Sequence, residues 1–267
     1  MKTMMKRIFR AVILLFLTSG ILLPMCAQVP DARSIMQRSI DVAKVPGMEA
    51  VTELRIVDAR GRERVRKVAM VSRDEGAVEK RLIRFLEPAD VKGTGLLVFD
   101  YPDKDDEMWL YLPAIRKVRK IVSSDKGKSF MGSEFSNADM AAPNLDDFRL
   151  SYVGEGTADG VPCYRITMIP KDDRVAREYG FSKKEVWIGK KDMVMRKAIY
   201  YNDFGEVEKV LTATAVQPVD PERKKLLARK MTMVNEQNGR KSYFRILEVR
   251  YAPDVKDEYF TLSYLRQ

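Results

Sequence analysis

The chain has 267 residues and a formal net charge of +10, from 48 lysines and arginines against 38 aspartates and glutamates. It contains no histidine. This excludes Ser-His-Asp and Cys-His catalysis and most zinc sites, because histidine is the usual general base and the commonest metal ligand near neutral pH. We therefore predict that the protein is not an enzyme and has no catalytic residues and no metal site. A carboxylate pair of the glycoside hydrolase type stays open, because such a pair meets only in three dimensions.

The N-terminus predicts an export signal. Basic residues stand at its start, an apolar run covers residues 11–23, and Pro24 ends that run. This order is typical of a signal peptide, and the run is short for a membrane-spanning helix, which needs roughly 20 residues. We predict that residues 1–27 are a removed signal peptide and that residues 28–267 form one domain in the periplasm.

A lipid anchor at Cys26 is the alternative, because Leu23-Pro24-Met25-Cys26 has the outline of a lipoprotein cleavage box. Met25 fits that box poorly, since the residue before a lipid-bearing cysteine is normally small. Cleavage after Ala27 leaves Cys163 as the only cysteine. No internal disulfide can then form, and Cys163 is expected to be a buried, small apolar residue.

The predicted signal carries four basic residues and no acidic one, so the mature chain keeps a charge of +6 (10 − 4). A moderately basic body favours anionic lipid surfaces, although charge alone does not select a partner. Nucleic acid is not an expected partner, because an exported chain without interleaved aromatic and basic residues lacks the usual features of such binding.

The first predicted element of the mature chain is an amphipathic helix over residues 30–44. Asp31 can cap it, its apolar residues recur at helical spacing, and Pro46-Gly47 ends it. Beyond it, apolar and polar residues alternate between tight turns, which is the pattern of antiparallel strands. We expect about 11 strands, the last of them over residues 259–265.

No linker divides residues 28–267, so we predict a mainly β fold with a single strongly curved antiparallel sheet, an incomplete β-barrel. Partial closure protects sheet edges, and a sheet this wide encloses a cavity. The N-terminal helix is expected to plug or line that cavity. Residues 126–143 lack periodicity and are predicted to cover the opening, with a short helix near residues 137–140. The lid candidates are Phe130, Met131, Phe135 and Met140.

Apolar residues at alternate strand positions are the candidates for the cavity lining. Methionine suits surfaces that accept variable apolar shapes, and alternation places Met193 with Met195, and Met231 with Met233, on one strand face. The alternative at each position is an ordinary packed core. The full set of candidates is Leu54, Ile56, Val68, Met70, Met108, Leu110, Met193, Met195, Met231, Met233, Phe244 and Ile246.

Two groups of basic residues have open interpretations. Arg62, Arg64 and Arg66 alternate along one strand face and are expected to point to water. The densest cluster is either solvated surface or a docking patch for anionic lipid or a partner protein, where each basic residue contributes roughly 1 kcal/mol near an anionic membrane. This docking cluster consists of Arg116, Lys117, Arg119 and Lys120.

The stretch from Val91 to Met140 resembles the outer-membrane lipoprotein-sorting proteins of the LolA-like superfamily. The most specific parts are Met108-Trp109-Leu110-Tyr111-Leu112-Pro113, Arg116-Lys117-Val118-Arg119 and Ser129-Phe130-Met131-Gly132-Ser133. The late hairpins also fit, so the resemblance covers nearly all of the mature chain.

The resemblance implies an open, strongly curved antiparallel barrel with short helices over its concave side. It also implies a periplasmic carrier whose apolar cavity holds acyl chains of lipoproteins or other lipids, without a cofactor. Expected partners are therefore those acyl chains, an inner-membrane transporter and an outer-membrane acceptor, and we expect a monomer. The alternative function is a non-enzymatic envelope scaffold or an accessory protein of a resistance–nodulation–division (RND-type) transporter.

Overall fold

The computed structural model describes residues 30–220 and 222–267. The predicted signal peptide, residues 1–27, and the alternative lipidation site Cys26 lie outside the described residues. Thirteen strands form one antiparallel sheet that does not close into a barrel. The prediction of a mainly β protein with a single curved, open sheet is therefore confirmed. The sheet has about two more strands than expected, because adjacent short strands are hard to count from alternation alone.

The elements have the following bounds. In chain order the strands are β1 (Gly47–Val57), β2 (Glu63–Asp74), β3 (Glu79–Glu87), β4 (Gly95–Asp100), β5 (Glu107–Leu112), β6 (Lys117–Ile121), β7 (Phe148–Ala158), β8 (Val161–Pro170), β9 (Lys183–Gly189), β10 (Met195–Tyr201), β11 (Val207–Asp220), β12 (Lys225–Asn235) and β13 (Lys241–Tyr251). The α-helices are α1 (Ala32–Ala43), α2 (Ser123–Lys126), α3 (Asp173–Tyr179) and α4 (Leu262–Leu265). Four 3-10 turns cover Pro113–Ile115, Ala138–Met140, Leu145–Asp147 and Asp257–Phe260. Among the helices of the described ranges, none has the length and apolarity to cross a membrane.

The order of strands in the sheet follows the chain except at one junction. Strands β1 to β6 form one meander, strands β7 to β13 form another, and the two meanders join where β1 pairs with β13. The two edges of the sheet are therefore β6 and β7, which follow one another in sequence. Residues 122–147, here called the crossing segment, connect these edges. Their apolar side chains join the same core as the inward residues of both meanders, so the segment passes over the concave side.

Helix α1 lies on the concave side of the sheet. The carboxylate of Asp31 accepts hydrogen bonds from the backbone N–H groups of Arg33 (3.3 Å) and Ser34 (2.9 Å), which satisfies N–H groups that have no partner within the helix. Ile35 and Met36 are buried against the core formed with β7, β8, β9 and β12. The helix predicted over residues 30–44 is confirmed with nearly the same limits.

Alternation decides which strand residues face inward. From Met48 onward in β1 the even-numbered positions are buried and the odd ones are partly exposed, and Leu54 and Ile56 are 0% and 1% exposed. Strand β4 breaks this pattern, because Leu96 and Val98 face the concave core while Leu97 packs on the opposite face. A continuous apolar run of this kind is typical of a strand that is covered on both sides.

The outer cover of β3, β4 and β5 is the C-terminal segment, residues 252–267. Phe260 and Leu265 are buried there, against outward residues of β3 and β4. The prediction of a last strand over residues 259–265 is wrong, because the hydroxyl of Thr261 accepts a hydrogen bond from the backbone N–H of Tyr264 (3.1 Å) and starts α4. The prediction for Cys163 is confirmed, since this residue is fully buried.

Candidate functional site

The concave side holds an apolar cavity of about 380 Å³. Its wall is formed by α1, by the inward faces of strands from both meanders, and by the crossing segment. A volume of this size falls within the range of ligand pockets in proteins, roughly 300–1,000 Å³. The predicted cavity and lid residues that line it are Met70, Met195, Met231, Phe244, Ile246, Phe135 and Met140.

The other predicted cavity residues lie deeper in the core. Most of them share the inward faces of the strands but sit toward the opposite end of the sheet, so that in β1 Met48 and Ala50 line the cavity while Leu54 and Ile56 do not. Met193 is the exception, because it precedes β10 in a left-handed conformation (φ 56°), and its predicted place beside Met195 on one strand face is wrong. Alternation predicts which face of a strand a residue lies on. It does not predict whether that part of the strand borders the cavity or the packed core. The residues packed in the core beside the cavity are Leu54, Ile56, Val68, Met108, Leu110, Met193 and Met233.

The filled end of the sheet is occupied by a tight turn of the crossing segment. Met131 (φ 51°) and Gly132 (φ 78°) both adopt left-handed backbone conformations, and the N–H of Ser133 donates to the carbonyl of Phe130 (3.0 Å). Two successive positive φ angles are the mark of a type I′ turn, which favours glycine at its second central position. This turn carries Phe130, only 1% exposed, to the ring of Phe85, with 5.9 Å between ring centroids.

The crossing segment is bound through Glu134 to the hairpin formed by β12 and β13. The side chain of Glu134 accepts a hydrogen bond from Asn235 Nδ2 (3.0 Å), and its backbone N–H donates to Ser242 Oγ (2.9 Å). Arg240 Nε lies 2.8 Å from Glu134 Oε1 as an ion pair without hydrogen-bond alignment. These contacts join the turn to β12 and β13, which makes the segment part of the folded core.

Arg66 corrects one prediction. It was expected to point to water with Arg62 and Arg64, but it is only 8% exposed and donates from Nη1 to the carbonyl of Met131. Its position opposite Leu54 in the β1–β2 ladder makes it an inward residue, and burial lowers the pKa of its guanidinium. Arg64 lies near the start of β2 and is exposed, as expected.

A buried ion cluster joins α2, which follows the edge strand β6, to α3, which lies between β8 and β9, and to the turn between β4 and β5. Lys126 Nζ, at the end of α2, lies 2.8 Å from Glu178 Oε1 of α3 and 3.4 Å from Asp106 Oδ2 of the β4–β5 turn. Lys126 and Glu178 are 4% and 3% exposed. The sequence analysis missed α3, although Asp172 caps it by accepting from the N–H of Val175 (2.8 Å).

Burial changes the protonation of this cluster, here called the edge clamp. Desolvation raises the pKa of Asp106 to about 6, although the neighbouring ammonium of Lys126 lowers it. For Lys126, desolvation lowers the pKa but attraction to the carboxylates of Asp106 and Glu178 outweighs it, so the pKa is raised. The clamp therefore holds opposite charges out of water at the point where the sheet stays open.

The cavity wall includes charged groups that the sequence analysis did not single out. Lys184 lies on β9 with its ammonium 4.3 Å from the centroid of the Tyr200 ring, and the Tyr200 hydroxyl donates to Asp139 Oδ1 (3.1 Å). Arg81 donates to the carbonyl of Met140 and pairs with Glu79. A signal for Lys184 exists in the sequence, because it occupies the same alternate row as the buried Val186 and Ile188.

The predicted docking cluster lies on and beside β6, an edge strand of the sheet. All four basic residues are exposed, and Arg116 takes a left-handed conformation (φ 51°) that ends the 3-10 turn before β6. Ile115 and Val122 flank the strand and are 53% and 52% exposed. Within the described residues no group of three or more His, Cys, Asp or Glu side chains is arranged to hold a metal ion.

Together the open 13-stranded sheet, the helix on its concave side and the apolar cavity between them define a LolA-like fold. A LolA superfamily protein from Nitrosomonas europaea has the same fold, with a TM-score of 0.66 and 17% identity over 88% of this chain and 99% of that one.

Two further solved structures are more similar. A domain from Vibrio parahaemolyticus, whose description assigns it to outer membrane lipoprotein sorting, has a TM-score of 0.80 and 26% identity, over 89% of this chain and all (100%) of that one. A DUF1329 family protein from Desulfovibrio piger has a TM-score of 0.78 and 28% identity, over 88% and 98% of the two chains.

A family model whose description is "-like: Uncharacterized protein" matches residues 77–267, which is more than half of the chain. The chain therefore belongs to that family. No curated protein sequence matches it.

Proposed function

We propose that this protein is a periplasmic carrier or sorting factor that holds acyl chains of lipoproteins or other lipids in its cavity for transfer toward the outer membrane. The observation that carries the proposal is the apolar cavity of about 380 Å³ between α1, the concave sheet and the crossing segment. The similarity to a domain assigned to lipoprotein sorting supports it. The predicted signal peptide, residues 1–27, supplies the route to the periplasm.

Binding in this proposal is physical and needs no catalytic step. Each CH₂ group transferred from water into an apolar site contributes about 0.8 kcal/mol, so one long chain can bind without a polar contact. Met70, Met195 and Met231 line the cavity, and their flexible side chains can adapt to chains of different length and unsaturation. Release then requires a competing apolar site on the acceptor.

The crossing segment is the proposed lid. Phe135 and Met140 border the cavity, whereas Phe130 and Met131 belong to the turn that fills the other end of the sheet. Opening would have to separate Glu134 from β12 and β13 or move the part of the segment beyond it. We propose the second motion, because Phe130 is buried against Phe85 and the turn is bound by several polar contacts.

Transfer needs a contact with a donor and an acceptor, and the docking cluster is the proposed surface. Three of its four cations lie on the edge strand β6 and Arg116 directly precedes it, and an edge strand also presents unpaired backbone groups. The same feature favours a second candidate function, an accessory protein of an RND-type transporter that binds its partner along β6. In that case the cavity would not need to hold a lipid.

The cavity can be tested by filling it. Ala213 is buried on the inward face of β11 and lines the cavity, so Ala213→Phe is expected to lower the affinity for acyl chains by at least about tenfold, which corresponds to 1.4 kcal/mol. Thr212→Phe places the same ring on the exposed side of that strand and should leave the affinity unchanged. The measurement is native mass spectrometry with lipid extraction, followed by titration of the purified variants with palmitate.

Lipid at near one molecule per chain in the wild type, reduced in Ala213→Phe alone, supports the carrier. If the wild-type protein purifies without lipid and binds none when lipids are added back, the carrier function is contradicted and the transporter accessory is favoured.

The docking cluster can be tested by charge reversal. Lys117→Glu/Lys120→Glu is expected to weaken binding to vesicles containing anionic phospholipid by about 10-fold or more, since two charges change sign and each basic residue contributes roughly 1 kcal/mol. The matched control is Lys241→Glu/Arg245→Glu on exposed positions of β13. Sedimentation with vesicles at low and high salt measures the effect, and equal loss in both double variants would remove any special role of β6.

A further inference from the structure

We propose that the ligand of the cavity carries an anionic group, a carboxylate or a phosphate at the end of its acyl chain, which pairs with Lys184. This inference rests on the proposed function, since it names the class of lipid that the same cavity accepts. It starts from the charges in an otherwise apolar wall.

The cavity wall contains three cations, Lys44, Arg81 and Lys184, and two carboxylates, Glu79 and Asp139. Arg81 pairs with Glu79, so these two charges are mutually compensated. The remaining wall charges are two lysines against one aspartate. Neither Lys44 nor Lys184 forms a salt bridge to a residue in the described part of the chain.

The carboxylate of Asp139 is hydrogen-bonded to groups other than Lys184. Its Oδ1 accepts from the hydroxyl of Tyr200 (3.1 Å), and its Oδ2 accepts from the backbone N–H (2.8 Å) and hydroxyl (3.0 Å) of Ser136. Asp139 still attracts Lys184 at longer range, but its oxygens are directed to the crossing segment and to β10. The charge of Lys184 is therefore not matched by a contacting carboxylate among the described residues.

The surroundings of Lys184 hold its ammonium group in place. The rings of Tyr200 and Phe181 lie 4.3 Å and 5.7 Å from Nζ, within the range of cation–π attraction. Burial lowers the pKa of Lys184, which is the expected response of a cation that lacks a counter-ion. Burying the ammonium of Lys184 without a contacting counter-ion costs desolvation free energy. An anionic group on a bound ligand would offset that cost by pairing with it.

The alternative is a ligand with an uncharged ester, amide or hydroxyl head. Such a group could accept a hydrogen bond from Lys184 but would leave the ammonium charge unpaired. Hydrogen bonds between charged partners are about twice as strong as those between neutral ones. The geometry therefore favours the anionic head over its neutral analogue of the same chain length.

The test compares three ligands with the same 16-carbon chain: palmitate, 1-palmitoyl lysophosphatidate and hexadecanol. Each displaces an uncharged fluorescent probe from wild type, Lys184→Met and Lys183→Met. Methionine keeps the length of the side chain and removes its charge. Lys183 is the matched control, because it is the neighbour on β9, points to the other side of the strand and pairs with Glu185 (3.4 Å).

Wild type and Lys183→Met are expected to bind at least one anionic ligand about tenfold or more tightly than hexadecanol. In Lys184→Met this preference should disappear while hexadecanol binding stays unchanged. The better of the two anionic ligands identifies the source as a fatty acid or a phospholipid head. If hexadecanol binds as tightly as both anionic ligands in wild type, or the preference survives in Lys184→Met, this inference is wrong and the carrier function stands. If none of the three ligands binds, the carrier function itself is overturned, and the inference with it.

Discussion

Lys126→Met is expected to lower the free energy of unfolding by about 3–5 kcal/mol, because it removes the central cation of a buried ion cluster. Asp106 then has no contacting counter-ion among the described residues, and Glu178 keeps only Arg174 (3.0 Å). Lys126 lies 2.8 Å from Glu178 and 3.4 Å from Asp106 and is 4% exposed. Urea-induced unfolding at pH 7.5 measures the change. The cluster is the polar contact that joins α2 to α3 across the open edges, so the loss should also loosen the ends of the crossing segment.

The matched control is Lys128→Met, two residues further along the same segment. Lys128 pairs with Asp125 (2.6 Å), but its side chain is 70% exposed. Exposed ion pairs contribute about 0–1 kcal/mol, so this variant should unfold almost like the wild type. Equal stability of the two variants would mean that the edge clamp does not hold the sheet edges together.

The effect of Lys126→Met should depend on pH. The pKa of Asp106 is raised from 3.8 to about 6 in the folded protein. The folded state therefore binds this proton more tightly than the unfolded state, and the contribution of Asp106 to stability increases as the pH falls from above 6 toward 3.8. Without the ammonium of Lys126 the pKa of Asp106 rises further, so protonation relieves the unpaired charge. The destabilisation should be smaller at pH 5 than at pH 7.5.

Phe130→Ala is the second substitution with a large expected effect. Phe130 is only 1% exposed and packs on Phe85 at the filled end of the sheet. Truncating a buried phenylalanine to alanine costs about 3–5 kcal/mol, from lost burial and from the cavity left behind. Thermal and urea unfolding measure the loss. Phe204→Ala is the control, because Phe204 is 88% exposed at a hairpin tip and its removal should change stability by less than about 0.5 kcal/mol.

Hydrogen exchange on the same protein tests the lid. If the part of the crossing segment beyond the turn moves when a lipid enters, residues 137–143 should exchange more slowly with palmitate bound than without it, while residues 128–136 change little. Protection that is equal along the whole segment with and without palmitate would contradict a moving lid. Phe130→Ala should increase exchange in residues 128–136 first, because its packing holds that turn.

Much of the fold follows from local chemistry that the sequence displays. Alternation and turn residues predicted the strands and their faces, Asp31 predicted the start of α1, and the lack of periodicity in residues 126–143 predicted an irregular cover. These features depend on contacts between residues that are close in sequence. They are therefore visible as the two-residue period of a strand or the 3.6-residue period of a helix. The same reasoning failed at residues 259–265, where apolar residues suited to a strand cover the outer face of the sheet as turns and a short helix.

Only the tertiary structure decided which inward residues pack in the core and which line the cavity. Leu54 and Met70 share the same pattern of alternation, yet one packs in the core and the other lines the cavity, because depth along a strand depends on where the crossing segment fills the sheet. The partner of Arg66 is likewise decided by the tertiary structure, since its guanidinium donates to the carbonyl of Met131, 65 residues away in sequence. The edge clamp and the unpaired charge of Lys184 also join distant parts of the chain.

The sequence by itself therefore determined the class of fold, its open sheet and its apolar inward faces, because periodicity and turn chemistry are local. The position of the cavity, the burial of Arg66 and the charges that face the cavity were decided only by the tertiary structure. The free energies of these features arise where segments far apart in sequence pack together and exclude water. A local sequence pattern does not show which distant segments will be in contact.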